Sequence, residues 1–492
     1  MLRIIPRLEK FKMHRVHAIQ SGSYNHSGIQ QPLLLGAAKI FRRKSASMAR
    51  IYPFRALRYN LSQVKLQDVV TQPYDKISPA AQQRYYDQSE YSLVRIILGM
   101  PELYDDEKNN VYTRAAESLK EWRAKNVLSE EPTPAIFGYA QRYTVPGTAE
   151  AGTPEIRERK GFIALGKLQE YADGVVHRHE QTLAKPKSDR MNLLKATRAQ
   201  CEQIYMLYSD PAFTAEKLIF DGTPPEISVT DEYGVEHKLW RIADPKTIGL
   251  LMAAMDDKKL IIADGHHRYE TALSYMREHT PAGAAEERTL NTLPQPAFPE
   301  AATMMTFVNM DAPGITILPT HRVVFGLKDF SADAFLAKAA KYFDVQPLAE
   351  QDAAAVQAKL SEAGKKGVAF VAVTKGKRHL LTAKQAAIDT VLADISPRHR
   401  QLDVVQLHSL VLEKLLGLTQ ESIRQQENLR YLREASDVIT QVEAGEANIA
   451  FLINPCTLDQ LREVAFAREV MPQKSTDFYP KLLSGLVLYA FD

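Results

Sequence analysis

The stretch KLIIADGHHRYETAL, residues 259–273, confines its local fold more tightly than any other part of the chain. An apolar run ends in Asp264-Gly265, and from about His266 to His279 apolar residues recur at helical spacing, which predicts strand, sharp turn and helix. Glycine permits the turn or the close approach of a ligand to the backbone. The helix that follows starts with amides directed back at the turn. His266, His267 and Arg268 at that end make an anion site, because the dipole, the amides and the guanidinium all favour the same charge. Phosphate is the expected guest. An Asp-Gly start alone would need only Asp264 as a helix cap and an acid for Arg268; the doubled histidine before arginine favours the anion.

A second cluster, VVHRHEQTLAKPKSDR, spans residues 175–190. On a strand, His177 and His179 share one face and Glu180 and Thr182 the other. Such His-x-His spacing can bind a metal, but no HExxH or cysteine partner supports a complete ligand set. Glu180, beside the KPKSDR turn, fits a general base facing a phosphorylated co-substrate. The competing assignment is a salt-bridged surface strand. Two further polar runs interrupt apolar surroundings, Thr320-His321-Arg322 after ITILP and Gln473-Lys474-Ser475-Thr476 before DFYPK. The latter suits a lid or phosphate loop, although loops are commonly polar for solvation alone. GxxxxGK[ST], GxGxxG and GxSxG are absent, so P-loop, dinucleotide-dehydrogenase and α/β-hydrolase assignments lose their motif support.

Charge separates the chain into two parts. Residues 1–50 carry ten Lys/Arg and one acid, which leaves 52 of the 62 basic residues against 58 of the 59 acids for the remainder. The body is therefore mildly acidic, and a phosphate-backbone footprint is not expected. No nucleic acid is expected as partner, and no convincing helix-turn-helix is found. Residues 1–47 are basic, Ser/Gln-rich and lack the apolar centre of a secretory signal. They are either an organellar transit peptide or the product of an upstream start, the native chain then beginning at Met48; the poor amphipathic face of IIPRLEKFKMHR favours the second. Cys201 and Cys456, the two cysteines, imply neither a disulfide framework nor a zinc site. No apolar run approaches the ~18 residues that span a bilayer. The expected location is cytoplasmic, or an organellar matrix if residues 1–47 are a transit peptide.

Residues 48–492 read as mixed α+β, strands and helices alternating without a regular βα cadence. Three parts are expected, approximately 51–160, 161–325 and 326–492. AIFGYAQRYTV and KGFIALGKLQEY predict a β-hairpin with a long exposed connection. YTRAAESLKEWRAKNVL predicts an amphipathic helix, and Ser78-Pro79 opens another. Residues 280–299, rich in Pro, Ala and Glu, read as a loop. LPTHR reads as a polar turn, VAFVAVTKGKRHLLT as a hairpin, and VVQLHSLVLEKLLGL as one helix.

From Ile51 onward the chain resembles a family catalogued as domain of unknown function 1015. The resemblance rests on YPFRALRYN, QPYDKIS, HEQT followed by PKSDRMNLLKAT, ADGHHRYETAL, MMTFVNM with ILPTHR, and MPQKSTDFYPKLLSGL. DGHHR is more distantly similar to the signature of the ParB/sulfiredoxin-like superfamily, which includes free serine kinases. That likeness implies a nucleotide-binding core with additional α/β subdomains, ATP or ADP with Mg²⁺, and phosphoryl transfer to a small hydroxyl compound, L-serine being the best guess. It implies Glu180 as base and His267 and Asp264 as further catalytic groups, with Asp264 on Mg²⁺ or orienting His267. His266, His267 and Arg268, with the amides after Gly265, would hold the phosphates, and Lys187, Arg190 and Arg322 would be auxiliary cations in binding the cofactor. The expected partners are a nucleotide and a small substrate, with a homodimer allowed and no membrane. Two other functions remain open: a ParB-like nucleotide switch without acceptor phosphorylation, and a metal-dependent hydrolase using His177, His179, His266 and His267.

Overall fold

A computed structural model describes residues 49–491 except 149–151, 183, 285–286 and 291; the basic leader lies outside the described residues. The apolar alternation of Ile136–Thr144 and Ile156–Lys167 closes into the expected antiparallel hairpin, Phe137 opposite Ile163. That hairpin is the centre of a nine-stranded mixed sheet. Its order is Val176–His177, Leu260–Asp264, Ile204–Tyr208, Ala302–Asn309, Ile156–Lys167, Ile136–Thr144, Glu236–Ile242 and Ile227–Thr230, with Ile51–Tyr52 also on Ile156–Lys167. Most pairs are antiparallel. Leu260–Asp264 runs parallel to Val176–His177, and Ala302–Asn309 parallel to Ile204–Tyr208. Strand Ile156–Lys167 runs across residue 160, so sequence on both sides of that point shares one sheet.

A second, antiparallel sheet has six strands in the order Phe343–Pro347, Lys377–Ala383, Ala369–Thr374, Ile449–Ile453, His321–Val324 and Leu429–Leu432. Apolar residues on its two faces enter separate clusters, one around Phe370 and Phe451 and one around Val371 and Leu452. The chain then returns to the large sheet's body. Asp477–Tyr479 pairs with Thr316–Leu318, and Tyr489–Ala490 with Ala199–Gln200. The fold is thus mixed α+β.

Local signals held where side-chain periodicity or capping was strong. Asn110 and Thr113 form a capping box at the start of the Val111–Ala124 helix, and Ser78 caps Pro79–Gln88. The expected loop at 280–299 instead contains a short hairpin, Glu287–Leu290 with Leu293–Pro296. Its two prolines, Pro294 and Pro296, masked the pairing, because proline is tolerated where a ladder needs no N–H. His321 and Arg322 lie in a fully buried strand rather than a polar turn. The helix expected over VVQLHSLVLEKLLGL passes from α-helix at Asp403–Gln406 to a π-helix at Leu407–Leu415. No helix among the described residues is long and apolar enough to cross a membrane.

Candidate active site

Parallel pairing of Val176–His177 with Leu260–Asp264 makes both strands end on the same side of the sheet. Ligands in open α/β sheets favour the crevice beyond such carboxyl ends. Here the crevice is built by the two clusters singled out in the sequence. A register shift between Ile262 and Asp264 re-aims the chain just before the turn. Gly265 then takes φ = +93° as N-cap of the His266–His279 helix, and no side chain caps that helix. A Cβ on Gly265 would lie 3.2 Å from the Arg268 guanidinium.

Glu180, Asp264, Gly265, His266, His267 and Arg268 line one cavity of about 260 Å³ together with Tyr74, Asp75, Gln426, Gln473 and Lys474. Glu180 forms a single parallel bridge with Met471, whose N–H donates to the His179 carbonyl at 2.8 Å. The Lys474 N–H points at Glu180 Oε1 from 3.5 Å. Burial pushes the Glu180 carboxyl up, opposed chiefly by the Lys474 charge. That places the group as a base stronger than an exposed glutamate. His266 is buried, its Nε2 has no hydrogen-bond partner, and burial with the neighbouring His179 holds it neutral.

Asp264 is buried enough to favour protonation, yet Lys481 at 3.8 Å and Arg268 at 3.5 Å hold it far below the usual carboxylate range. Lys481 also meets Asp477 at 3.1 Å, and Asp477 in turn meets Lys76 at 3.6 Å and Arg433 at 2.6 Å. Tyr74, Asp75, Lys76, Gln426 and Lys481 were not singled out from sequence. QPYDK carried a family signal for three of them, but no local pattern marks Gln426.

The remaining candidate cations lie elsewhere. Lys187 donates to Glu270 at 3.0 Å, which also accepts from Thr182 and Arg178. Arg190 is held by Asp189 and the Ile97 carbonyl, with its guanidinium 4.0 Å from the Tyr74 ring centroid. Arg322 bonds the carbonyls of Thr320, Gln473 and Lys474. None of the three lines the cavity.

Both histidines of the His-x-His pair are committed to the fold. His177 has Ala465 and Gly174 carbonyls at 3.1 Å from its two nitrogens. His179 Nδ1 faces the Ile262 carbonyl at 2.8 Å, which can only accept, so the proton sits there and Nε2 accepts from the Thr476 hydroxyl at 2.9 Å. Among the described residues no group of three or more His, Cys, Asp or Glu is arranged to hold a metal ion. Among the described residues, a site made by protein ligands alone therefore does not fit. A Mg²⁺ carried on nucleotide phosphates needs only one or two carboxylates, and Asp264 fits that smaller demand.

Burial drives His179 down to about 4 and His321 to about 3. Both are held neutral while the unfolded chain protonates them near ~6.5. Stability is therefore full above that value and falls with decreasing pH, by about 3 kcal/mol for His179 once pH passes through its folded value. Thermal melts should show a midpoint that drops steadily from pH 7 to pH 5. A flat midpoint over that range would contradict neutral burial.

Among solved structures, a conserved hypothetical protein from Pyrococcus furiosus aligns with a TM-score of 0.31 and 14% identity, over 64% of this chain and 91% of that one. A free serine kinase in complex with AMP aligns at 0.30 and 12%, over 62% and 83%. SbnI with a C-terminal truncation, from Staphylococcus aureus, aligns at 0.30 and 9%, over 66% and 86%. Likeness at this level carries no inference about activity. No curated protein matches the chain. A family model described as "Protein of unknown function (DUF1015)" matches residues 51–405, well over half of the sequence and including both the Glu180 and the DGHHR segments, and the chain belongs to that family.

Proposed function

We propose that the protein is a phosphotransferase that moves a phosphoryl group from ATP or ADP to the hydroxyl of a small acceptor, with free L-serine the first candidate. The observation that carries this reading is the meeting of Glu180 with the start of the His266–His279 helix in one cleft. A nucleotide sensor needs the helix start alone. A carboxylate of raised basicity beside it supplies what an acceptor hydroxyl requires.

In this reading the Gly265 turn, His266 and Arg268 hold the phosphates, and Lys474 adds a cation from the tail. Bound Mg²⁺ would neutralise charge on the phosphates, with Asp264 as its protein ligand. Glu180 takes the acceptor's hydroxyl proton as the new O–P bond forms. The bond to the nucleotide's bridging oxygen breaks, and AMP or ADP leaves. His267, which lines the same cavity, would donate to the transferred group. Positioning and charge neutralisation, more than covalent chemistry, are what phosphoryl transfer demands.

Calorimetry with ADP and ATP, followed by a nucleotide-consumption assay across serine and related hydroxy compounds, tests the reading. Gly265→Val should lower ADP affinity by at least ~10-fold, since a β-branched residue is strained at φ = +93° and its Cβ meets Arg268. Equal affinity in the variant, or no nucleotide consumption with any acceptor, would sink it.

A further inference from the structure

Arg322 leaves the second sheet fully buried, and no carboxylate among the described residues forms an ion pair with it. An isolated guanidinium in the interior is costly unless its N–H groups are used. Nε donates to His408 Nε2 at 3.2 Å, and one terminal nitrogen donates to the Thr320 carbonyl. The other donates to the carbonyls of Gln473 at 3.2 Å and Lys474 at 3.1 Å. Burial and the Arg322 charge keep His408 neutral, so it can accept at Nε2. The Tyr431 ring centroid lies 5.1 Å from the guanidinium carbon. The donor fork is thus committed to neutral groups, two of them on the tail loop.

That loop has a conformation worth holding. Lys474 sits at φ = +56°, a region that residues other than glycine rarely adopt. In it the Lys474 N–H faces Glu180, and the residue lines the cleft. Glu180 is further tied to the loop through the Met471 bridge. Charges facing Glu180 come from Lys474 and Lys481 on the tail, Asp264 on the large sheet and Arg322 on the second sheet.

We propose that Arg322 is a positioning residue: it clamps the Gln473–Lys474 backbone so that Lys474 and Glu180 keep their places in the cleft, and it does not contact phosphate. The purpose of the clamp rests on the phosphotransfer reading; the clamp itself does not. Lysine cannot replace it, because one ammonium point cannot reach acceptors spread along a planar fork.

Hydrogen–deuterium exchange on the full chain separates the two. Arg322→Lys should raise exchange by ~10-fold or more in peptides covering 471–476 and 178–182, with no change over 260–270. ADP affinity by calorimetry should fall no further than in Lys474→Met, which removes the tail cation itself, and with a working acceptor kcat should fall. Unchanged exchange over 471–476, or a loss of ADP affinity larger than that of Lys474→Met, overturns the proposal. If Arg322→Lys does not fold, His408→Leu, which removes one acceptor and keeps the guanidinium, should give the same exchange pattern at smaller amplitude; its absence overturns the clamp equally. Wild type that binds no ADP sinks the phosphotransfer reading and leaves the clamp to be judged by exchange.

Discussion

Glu180→Gln is expected to slow phosphoryl transfer by ~10²–10⁴-fold while leaving ADP affinity within about threefold of wild type. The substitution keeps the side chain's shape and its oxygen, so the Lys474 N–H retains an acceptor. It removes the site that takes the acceptor's proton. Burial raises the Glu180 carboxyl above the ordinary glutamate value, so the group must lose its proton before it can act as base. The wild-type rate should therefore rise with pH through a limb lying above the usual glutamate range. Lys474→Met should move that limb higher still, because the Lys474 charge is what most opposes burial. Initial-rate profiles of the three proteins measure both effects. A Glu180→Gln enzyme as fast as wild type would falsify the base assignment.

Lys481→Met is expected to cost about 1–3 kcal/mol of stability, less than the ~3–5 kcal/mol for a buried pair whose remaining charge is left uncompensated. Lys481 is 8% exposed at its side chain and lies between Asp477, 10% exposed, and Asp264, 28% exposed. Burial works against its charge, but Asp264 and Asp477 outweigh it and hold the ammonium above its usual value. Without Lys481, Asp264 keeps Arg268, and Asp477 keeps Lys76 and Arg433. These offset part of the burial of Asp477 and of the partly exposed Asp264, which keeps the loss below that of a charge left unpaired. Chemical denaturation at pH 7 checks the size of the loss. Both carboxylates are held below their unfolded values, so their contribution is present above ~4 and lost as pH falls below it. The gap between wild type and Lys481→Met should accordingly narrow in acid. A constant gap down to pH 3 would place the effect in packing rather than charge.

Much of the site was legible because its signals are local. The Gly265 turn and the His266–His279 helix depend on residues within a few positions of one another. So does the Ile136–Thr144 hairpin with Ile156–Lys167, whose alternation selects its buried face before any partner is known. Glu180 was found through a motif, although the strand expected to carry it ends at His177. The loop at 280–299 was misread because Pro and Glu content spoke louder than a four-residue alternation.

Charge alone could not say which cations serve the cleft. Lys187, Arg190 and Arg322 share the chemistry of Arg268 and Lys474, but the fold gives them Glu270, Asp189 and backbone carbonyls instead. A charged side chain bonds whichever acceptor is nearest in space, and hydrogen bonds reach only ~3 Å. Lys474 and Glu180 are 294 positions apart, and nothing short of the returning tail brings them together. The residue types, the sharp glycine turn and the helix start belong to the sequence read locally. The cleft, its neutral histidines and its buried Lys481 belong to long-range packing, since desolvation and Coulomb partners exist only once distant segments have met.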